Sequence, residues 1–554
     1  MKNRIREENS KAEKQGFCLR IGNLVMVTIL CFAMLTLGAC AKDAENGASS
    51  QGEKDSAWDK VTKVFQKDKS NLPEDTPWNH GSSAIMETEL GWYTTGLGEE
   101  MCLRYYEKES GDTIVLCNKP ECEHNGNDNC EATYRNLKVV NACLYEGSIY
   151  LLGWEGVVDT VYSGKEQNSE VPELINLSLY RAALDGSAID KVGTIFETDN
   201  LQQQTVNPSR RVTGAGDYHN DDAGFIIHKG IAYIPMYIGL GEGSAGLRGA
   251  GFYAMDLSTG ALKELEKYET LQSRPPAYLY GISNYVYYYR YDNASRKQLW
   301  YRYVISEDRI EAADPRIDKI SDTTEIFGKK FEALEARPCF TEDREYFLVR
   351  TYQEREAGQL AVLAFDAKTQ ELLPEESFET EMPFDRKKYP LEIRYRGYYS
   401  FMSYDGKFFI EDTEHVFVFD KEGKKAGEVA VPREELNWND AERQIYLDFK
   451  ICNEKLYLIY GNSLGSVYYI FGTGNTGYYY RVLTCPLEGI YQGNGQWTDA
   501  YRFQGIMTWK ECLLDMIDRL VEGLPENTLM QDQSPRDYYI RQINELYPGV
   551  LDNE

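Results

Sequence analysis

Short runs of aromatic and branched apolar residues alternate with polar residues along most of the chain, and tight polar turns separate the runs. Six pairs of runs stand out, with turns near Glu146, Lys229, Ser283, Glu342, Asp405 and Asn453. Alternation with a period of two around a polar or Gly turn is the sequence signal of a β-hairpin. The pattern therefore predicts six antiparallel hairpins.

A second type of hairpin falls between several members of the first set. Its turn opens with an aspartate, at Asp185, Asp256, Asp366 and Asp420. The carboxylate of such a residue can accept hydrogen bonds from the amides of its own turn. We therefore expect two hairpins in each repeat, which together make a four-stranded antiparallel sheet.

The turns of the first type recur every 48 to 83 residues. Four-stranded sheets repeated radially at such a spacing form a β-propeller. The stretch from Ala84 to Cys117 predicts one more set of strands. We therefore predict an all-β fold, a β-propeller of about seven four-stranded blades over residues 84–492. Six or eight blades are the alternative numbers. An array of β-sandwiches is the alternative, and the recurring pair of hairpins favours the propeller.

The hydrophobic period changes beyond the last predicted strand. Apolar residues recur at helical spacing over residues 504–522, which predicts an amphipathic helix. A second helix is expected with Ser534 as its N-cap and Pro535 at its first position, ending before Pro548. The sequence thus predicts a helical C-terminal cap over residues 493–554 that packs on the propeller.

At the N-terminus, a basic region precedes fourteen largely apolar residues, Leu24 to Leu37. This run is too short to span a membrane and reads as a signal peptide. The following Leu-Gly-Ala-Cys, residues 37–40, resembles the signal of bacterial lipoproteins. That resemblance implies cleavage before Cys40, lipidation of the Cys40 sulfur and a location on the extracytoplasmic face of the cell membrane. An uncleaved anchor helix is the alternative, with nearly the same location.

The net charge of the protein limits the classes of partner that it can bind. Removal of the signal peptide, residues 1–39, takes away six basic and three acidic side chains and changes the net charge from −28 to −31. A nucleic-acid-binding protein needs a basic footprint, so this class is excluded. An anionic membrane would repel the protein surface, so we expect the lipid to hold it there. Residues 40–83 are rich in Lys, Asp, Glu, Ser and Gly and are predicted to be a lipidated flexible tether.

Three cysteines and a histidine cluster between the first and second predicted blades. They are Cys117, Cys122, His124 and Cys130, a possible tetrahedral set of three thiolates and one imidazole for structural zinc. An exported loop with clustered cysteines can also close disulfides, such as Cys117 to Cys130 or Cys122 to Cys130. Both interpretations make the loop structural, because a set of four protein ligands leaves zinc no open position for water.

Two repeat segments carry a family resemblance. "LYRAALDGS", residues 179–187, is similar to the strand and turn of YWTD-type propeller repeats, and "AMDLSTG", residues 254–260, is similar to the outer-strand signature of quinoprotein-like repeats. Glu264 stands where the second signature has Trp, so the resemblance does not extend to a quinone cofactor. With the lipoprotein signal and the cysteine loop, the chain is similar to propeller lipoproteins of anaerobic gut-type bacteria.

Two motifs of catalysis are absent from the sequence, the phosphate-binding Gly-Lys-Ser/Thr loop and His-Glu-x-x-His, and the letters Gly-x-Ser-x-Gly occur once, at residues 461–465. The acidic stretch 217–222 lacks the spacing of a calcium loop and is expected to be a solvated turn. Tyrosine is abundant, with 42 residues and clusters such as "YVYYYRY". Exposed tyrosine rings could stack on sugars, although strands also favour tyrosine for packing.

These observations favour a membrane-anchored extracytoplasmic binding or scaffold lipoprotein without catalytic activity, whose ligand is a glycan or a peptide. One alternative is a propeller glycosidase or lyase that uses carboxylates in the central channel. Another is the extracellular subunit of a sensor. No catalytic residue and no cofactor other than the possible zinc is predicted.

Overall fold

A computed structural model of the chain contains two compact units, Met1–Trp58 and Asp59–Glu554. The structure describes residues within the second unit only. They are 72–76, 85–89, 91–95, 103–109, 111, 113–116, 137–155, 175–186, 188–198, 225–239, 247–268, 276–292, 297–313, 327–333, 338–354, 357–385, 401–411, 414–432, 445–463, 478–502, 514, 517, 518, 521, 524, 525, 528–530, 533–546 and 551.

Seven antiparallel sheets follow one another along the chain and form the blades of a β-propeller, as the sequence predicts. Blade 1 contains β1 (Ile85–Glu87), β2 (Gly91–Thr95), β3 (Leu103–Glu107) and β4 (Thr113–Val115). Blade 2 contains β5 (Leu137–Tyr145), β6 (Ser148–Glu155), β7 (Ile175–Ala183) and β8 (Ile189–Thr198). Blade 3 contains β9 (Ile226–His228), β10 (Ile231–Gly239), β11 (Leu247–Asp256) and β12 (Leu262–Tyr268). Blade 4 contains β13 (Ala277–Ile282), β14 (Tyr285–Asp292), β15 (Lys297–Val304) and β16 (Arg309–Ala312).

The first strand of blade 5 is divided into two pieces. Both β17 (Lys330–Ala333) and β18 (Cys339–Phe340) pair with β19, one at each end of it. The blade continues with β19 (Arg344–Glu354), β20 (Ala357–Asp366) and β21 (Phe378–Asp385). Blade 6 contains β22 (Phe401–Tyr404), β23 (Lys407–Glu411), β24 (His415–Phe419) and β25 (Lys425–Ala430). Blade 7 contains β26 (Ile445–Cys452), β27 (Lys455–Ser463), β28 (Tyr478–Pro486) and β29 (Thr498–Arg502).

Two described helices lie in the C-terminal region. The short α1 (Leu487–Tyr491) precedes β29, so blade 7 extends beyond residue 492, where the sequence places the end of the propeller. Helix α2 (Pro535–Leu546) begins as predicted: Ser534 Oγ accepts a hydrogen bond from the Asp537 amide at 3.1 Å and donates one to the Asp537 carboxylate at 2.6 Å. None of the helices in the described part of the chain is long and apolar enough to cross a membrane.

The direction of the strands defines two faces of the propeller. The first strands of neighbouring blades lie side by side, as in the pairs β5–β9, β9–β13 and β22–β26, and therefore surround the axis. The first and third strands of each blade run toward the face that carries the tight turns, which we call the hairpin face. The second and fourth strands run toward the opposite face, which we call the loop face. Segments that join one blade to the next therefore leave from the loop face.

The predicted turns on the hairpin face are confirmed. Two-residue turns join the first and second strands at 146–147, 229–230, 405–406 and 453–454, and both residues of each have positive φ, as a type I′ turn requires. The aspartate turns join the third and fourth strands. Asp256, Asp366 and Asp420 each accept hydrogen bonds from backbone amides two to four residues later, at 2.7 to 3.0 Å.

Apolar side chains hold neighbouring blades together around the whole ring. Each pair of neighbours shares a cluster of buried residues, and the cluster of Ile85, Trp92, Tyr457, Ile459, Val482 and Tyr501 joins blade 7 to blade 1. Each blade is built from consecutive strands. Among the described strands, the ring is therefore closed by side-chain packing between the first and last blades, without exchange of a strand.

The contact between blades 4 and 5 also contains a buried ion pair. Arg302 Nη1 lies 2.7 Å from Glu345 Oε1, and the two side chains are 2% and 0% exposed. The hydroxyl of Tyr287 donates to the same carboxylate at 2.9 Å. Removal of either partner would leave a buried charge uncompensated, which costs about 3–5 kcal/mol.

Candidate functional site

The residues with predicted chemistry lie outside the part of the chain that the structure describes. These are the lipidation site Cys40 and the possible zinc ligands Cys117, Cys122, His124 and Cys130. The strands before and after the cysteine loop, β4 and β5, belong to blades 1 and 2, as predicted. Within the described residues, no group of three or more His, Cys, Asp or Glu side chains is arranged to hold a metal ion.

The four tyrosines of the cluster "YVYYYRY" whose side chains the structure describes are buried between blades. Tyr285, Tyr287 and Tyr289 lie in the cluster that joins blades 4 and 5, where Tyr287 stacks on Phe340 with ring centroids 3.7 Å apart. Tyr288 points to the other side of the sheet and packs in the cluster that joins blades 3 and 4. Both faces of a blade are covered by its neighbours, so these rings are not available to stack on a sugar.

Carboxylates around the axis are the feature on which an enzymatic interpretation depends. Among the described side chains of the first strands, Glu87 in β1 is the one carboxylate. It accepts a hydrogen bond from Lys108 Nζ at 2.8 Å. Glycoside hydrolysis by paired acids needs two carboxylates. The side chains of Glu332 in β17 and Asp448 in β26, the other acidic residues of the first strands, lie outside the described part of the structure.

A segment upstream of the propeller forms a compact site on the hairpin face. We call it the strap, Leu72–Thr76. The carbonyl of Pro73 accepts hydrogen bonds from the amide of Lys229 and from the hydroxyl of Tyr145, both at 2.9 Å. The Tyr145 hydroxyl in turn accepts from the amide of Gly230 at 2.8 Å. One carbonyl of the strap is thus connected to blades 2 and 3.

His228 connects the strap to blade 4. Its ring is fully buried. Nδ1 accepts a hydrogen bond from the amide of Asp75 at 3.1 Å, and Nε2 lies 3.0 Å from the carbonyl oxygen of Ser283. Because an amide can only donate and a carbonyl can only accept, the neutral imidazole with its hydrogen on Nε2 satisfies both contacts. Burial lowers the pKa of His228 below its ordinary value, which favours the same neutral form.

Two acidic side chains of the strap bind backbone amides of blade 4. Glu74 Oε1 accepts from the amide of Ser283 at 3.1 Å and lies 3.5 Å from Lys229 Nζ. Asp75 Oδ2 accepts from the amide of Gly281 at 3.4 Å. The strap therefore uses backbone and side-chain groups together to cross the turns of three consecutive blades.

Buried groups on first strands surround the point where Asp75 binds. Cys143 Sγ, in blade 2, donates to the carbonyl of Phe225 at 2.8 Å. Burial raises the pKa of the Cys143 thiol well above its ordinary value, the Asp75 carboxylate adds to the rise and the Lys450 ammonium of blade 7 opposes it. Burial also raises the pKa of Tyr145 to about 12, which keeps the hydroxyl that binds Pro73 protonated. The thiol and the phenol are thus suited to structure and not to nucleophilic chemistry.

Sequence analysis missed the strap, because its five residues lie in the stretch predicted to be a flexible tether. The structure shows that this part, at least, is bound to the propeller. His228 had no chemical neighbour in the sequence, since its partners Asp75 and Ser283 are 153 and 55 residues away. The one local signal was the motif Leu-Pro-Glu-Asp-Thr-Pro at residues 72–77, because its two prolines restrict the backbone.

Comparison with known proteins assigns no family to the chain. No family model and no curated protein matches the chain. Among solved structures, an oligogalacturonate lyase in complex with manganese is 10% identical, with a TM-score of 0.32 over 65% of this chain and 79% of that one. The polysaccharide lyase Uly1 is 13% identical, with a TM-score of 0.30 over 74% and 90%. The propeller domain of the Trilobed protease from Pyrococcus furiosus, for which an open velcro topology is described, is 10% identical, with a TM-score of 0.28 over 76% and 93%.

The activities named for those proteins are not assigned to this chain. The sheet order and the ring of shared clusters define this chain as a seven-bladed β-propeller. The strap adds an upstream segment bound across the hairpin face.

Proposed function

We propose that the protein is a lipid-anchored binding or scaffold protein on the extracytoplasmic face of the cell membrane, and that it binds its ligand at the loop face. The observation that carries this proposal is the difference between the two faces. Most connections on the hairpin face are short turns, and the strap crosses this face, whereas the connections on the loop face include long stretches such as 156–174 and 199–225. Binding residues in propellers and other rigid scaffolds are carried by long loops of this kind.

A glycan or a peptide is the class of ligand that we propose. The strongly negative net charge disfavours nucleic acid, and the sequence lacks a phosphate-binding Gly-Lys-Ser/Thr loop and a His-Glu-x-x-His motif. The test is a binding screen against glycan and peptide arrays with a soluble form spanning residues 59–554, which retains the strap. Saturable binding to one class supports the proposal. Binding to neither class contradicts the ligand assignment.

The anchor at Cys40 has its own test. Lipidation adds the mass of the acyl groups to the N-terminal peptide, and the whole protein then floats with membranes in a density gradient. The variant Cys40→Ala is expected to lose both properties. An N-terminal peptide that begins upstream of Cys40 and carries no lipid would contradict the proposal.

We also propose that the loop from Cys117 to Cys130 is a structural staple between blades 1 and 2, closed either by zinc or by a disulfide. Elemental analysis of protein purified under reducing conditions, with Cys122→Ser as the comparison, tests the metal, and a count of free thiols in protein purified without reductant tests the disulfide. One zinc per chain that is lost in the variant supports the metal. Absence of metal, together with a count of free thiols that is low by two, supports the disulfide. Absence of both contradicts the staple.

A further inference from the structure

We propose that the strap orients the propeller on the membrane, with the hairpin face toward the lipid surface and the loop face outward. The inference rests on the lipid anchor at Cys40 proposed above and adds to it the surface that the protein presents. The strap contacts carry it, together with the direction in which β1 enters the propeller.

Without the strap, the direction of β1 would make the tether leave the propeller at the loop face. Strand β1 runs toward the hairpin face, because its turn at Thr88–Gly91 lies there, and its first residue, Ile85, points the upstream chain away from that face. A tether attached only at Ile85 would therefore leave in the direction of the loop face. The strap brings the chain back to the hairpin face at Leu72, which is the described residue nearest to Cys40 in sequence.

The contacts of the strap are spread over three blades and include groups of its own backbone. The carbonyl of Pro73 and the amide of Asp75 bind the turn residues of blades 2 and 3, and the carboxylates of Glu74 and Asp75 bind amides of blade 4. A typical hydrogen bond contributes about 0.5–1.5 kcal/mol net, so several together can hold a five-residue segment against the loss of its chain entropy. Burial of the His228 ring at the centre keeps water away from the two bonds it makes.

The length of the tether and the distance between the two faces determine what an inverted propeller would present to the membrane. A flexible tether of the length of residues 41–71 has an end-to-end distance of about 30 Å. The nine-residue strand β27 indicates that the two faces of a blade are separated by a similar distance, about 30 Å. Inverting the propeller would therefore place the ligand-binding loops against the lipid headgroups. At about 30 Å the negative protein surface is also beyond the Debye length of about 8 Å, so charge repulsion does not oppose this arrangement.

Energy transfer between the protein and the membrane tests the proposal. The full-length lipidated protein is reconstituted in phosphatidylcholine vesicles that carry an acceptor dye on a lipid headgroup. A donor dye is attached through a genetically encoded amino acid at one of two exposed positions in blade 6, because the native cysteines rule out thiol labelling. Lys421 lies in the turn after β24 on the hairpin face, and Glu414 precedes β24 on the loop face. We expect greater transfer from position 421 than from position 414.

Two strap variants show whether the strap causes the difference. Glu74→Ala combined with Asp75→Pro removes both carboxylates and the amide that His228 binds, and we expect the difference between the two positions to be lost. The charge-matched control is Glu342→Ala combined with Glu422→Ala, two exposed turn residues of the same face, and should keep the difference. If the first variant folds poorly, Tyr145→Phe takes its place, because it removes only the hydroxyl between Pro73 and Gly230. This variant should reduce the difference in energy transfer without removing it.

The outcomes separate this inference from the anchor. Flotation of the vesicles is measured first, and a protein that does not float contradicts the anchor and the orientation together. A protein that floats but transfers equally from both positions, or more from position 414, contradicts the orientation alone. If the strap variant keeps the difference in energy transfer between the two positions, another contact orients the propeller, and the proposed role of the strap is wrong.

Discussion

Two turns of the hairpin face have the same backbone and different surroundings. Lys229 and Gly230 of blade 3 have φ values of 49° and 70°, and Asp405 and Gly406 of blade 6 have values of 47° and 67°. The first turn is half-buried under the strap, whereas the second is exposed to solvent. The comparison separates what local sequence determines, the shape of the turn, from what distant residues determine, its use as a docking point.

The largest effect is expected where a side chain is added beneath the strap. In Gly281→Ala, the new Cβ would lie 2.7 Å from Cβ and Cγ of His228, a ring that is fully buried. Overpacking of this kind destabilises by about 1–3 kcal/mol, and we expect a value near the upper end in the unfolding free energy of the form spanning residues 59–554. Chemical denaturation measures it.

A double-mutant cycle identifies the cause of that loss. In a His228→Ala background the ring is absent but Cβ, also 2.7 Å from the new atom, remains, so the added cost of Gly281→Ala should become smaller without vanishing. An unchanged cost in that background would mean that the imidazole is not the obstacle.

Removal of one hydroxyl should have the next largest effect. Tyr145→Phe deletes the group that donates to the carbonyl of Pro73 and accepts from the amide of Gly230. The Gly230 amide is left without that acceptor, and a buried donor left unsatisfied costs about 1–3 kcal/mol. We expect about 2 kcal/mol, together with faster proteolysis within the strap. Tyr404→Phe, at the corresponding position before the exposed turn of blade 6, is the matched control. An equal loss in both variants would contradict a specific role for the strap.

A smaller difference is expected between equivalent glycines of the covered and exposed turns. Alanine at Gly230, Gly406 or Gly147 meets a similar penalty for positive φ, of about 1 kcal/mol. A Cβ at Gly230 would also lie 2.9 Å from Leu72 Cδ1, whereas one at Gly147 meets no atom within 4 Å. We therefore expect Gly230→Ala to cost about 1 kcal/mol more than Gly147→Ala, because the strap must shift. Equal costs would indicate that Leu72 moves aside freely.

The same comparison shows which parts of the structure were predictable from sequence. The turns were predictable, because Gly, Asn and Asp at two-residue turns and the aspartate caps act through neighbouring atoms. The strap was not, because Glu74 and Ser283 are 209 residues apart and no periodic pattern marks a five-residue docked segment. The tyrosine cluster falls between these cases. Its strand was predictable, but the burial of both of its faces depends on the packing of the neighbouring blades.

The smallest expected effect is a pH dependence confined to the covered turn. Protonation of His228 would place a hydrogen on Nδ1, which would then face the amide of Asp75 and could no longer accept its hydrogen bond. The charged groups that face the imidazole are Glu74 and Asp75 from the strap and Lys229 from the turn. The folded pKa of His228 lies below the ordinary value of about 6.5, so the strap is fully stabilised above that pH and loses stability as the pH falls below it.

Hydrogen exchange of the peptide that contains Asp75 measures this dependence. After correction for the intrinsic exchange rate, its protection should fall between about pH 7.5 and about pH 5.5, on either side of the ordinary histidine pKa. The variant His228→Gln keeps a side chain that can accept a hydrogen bond but does not titrate, and its protection should change little over the same range. The amide of Val431 in blade 6, bonded to the carbonyl of Glu414, serves as the internal reference. Constant protection of Asp75 in the unaltered protein would show that the docked strap does not depend on the neutral imidazole.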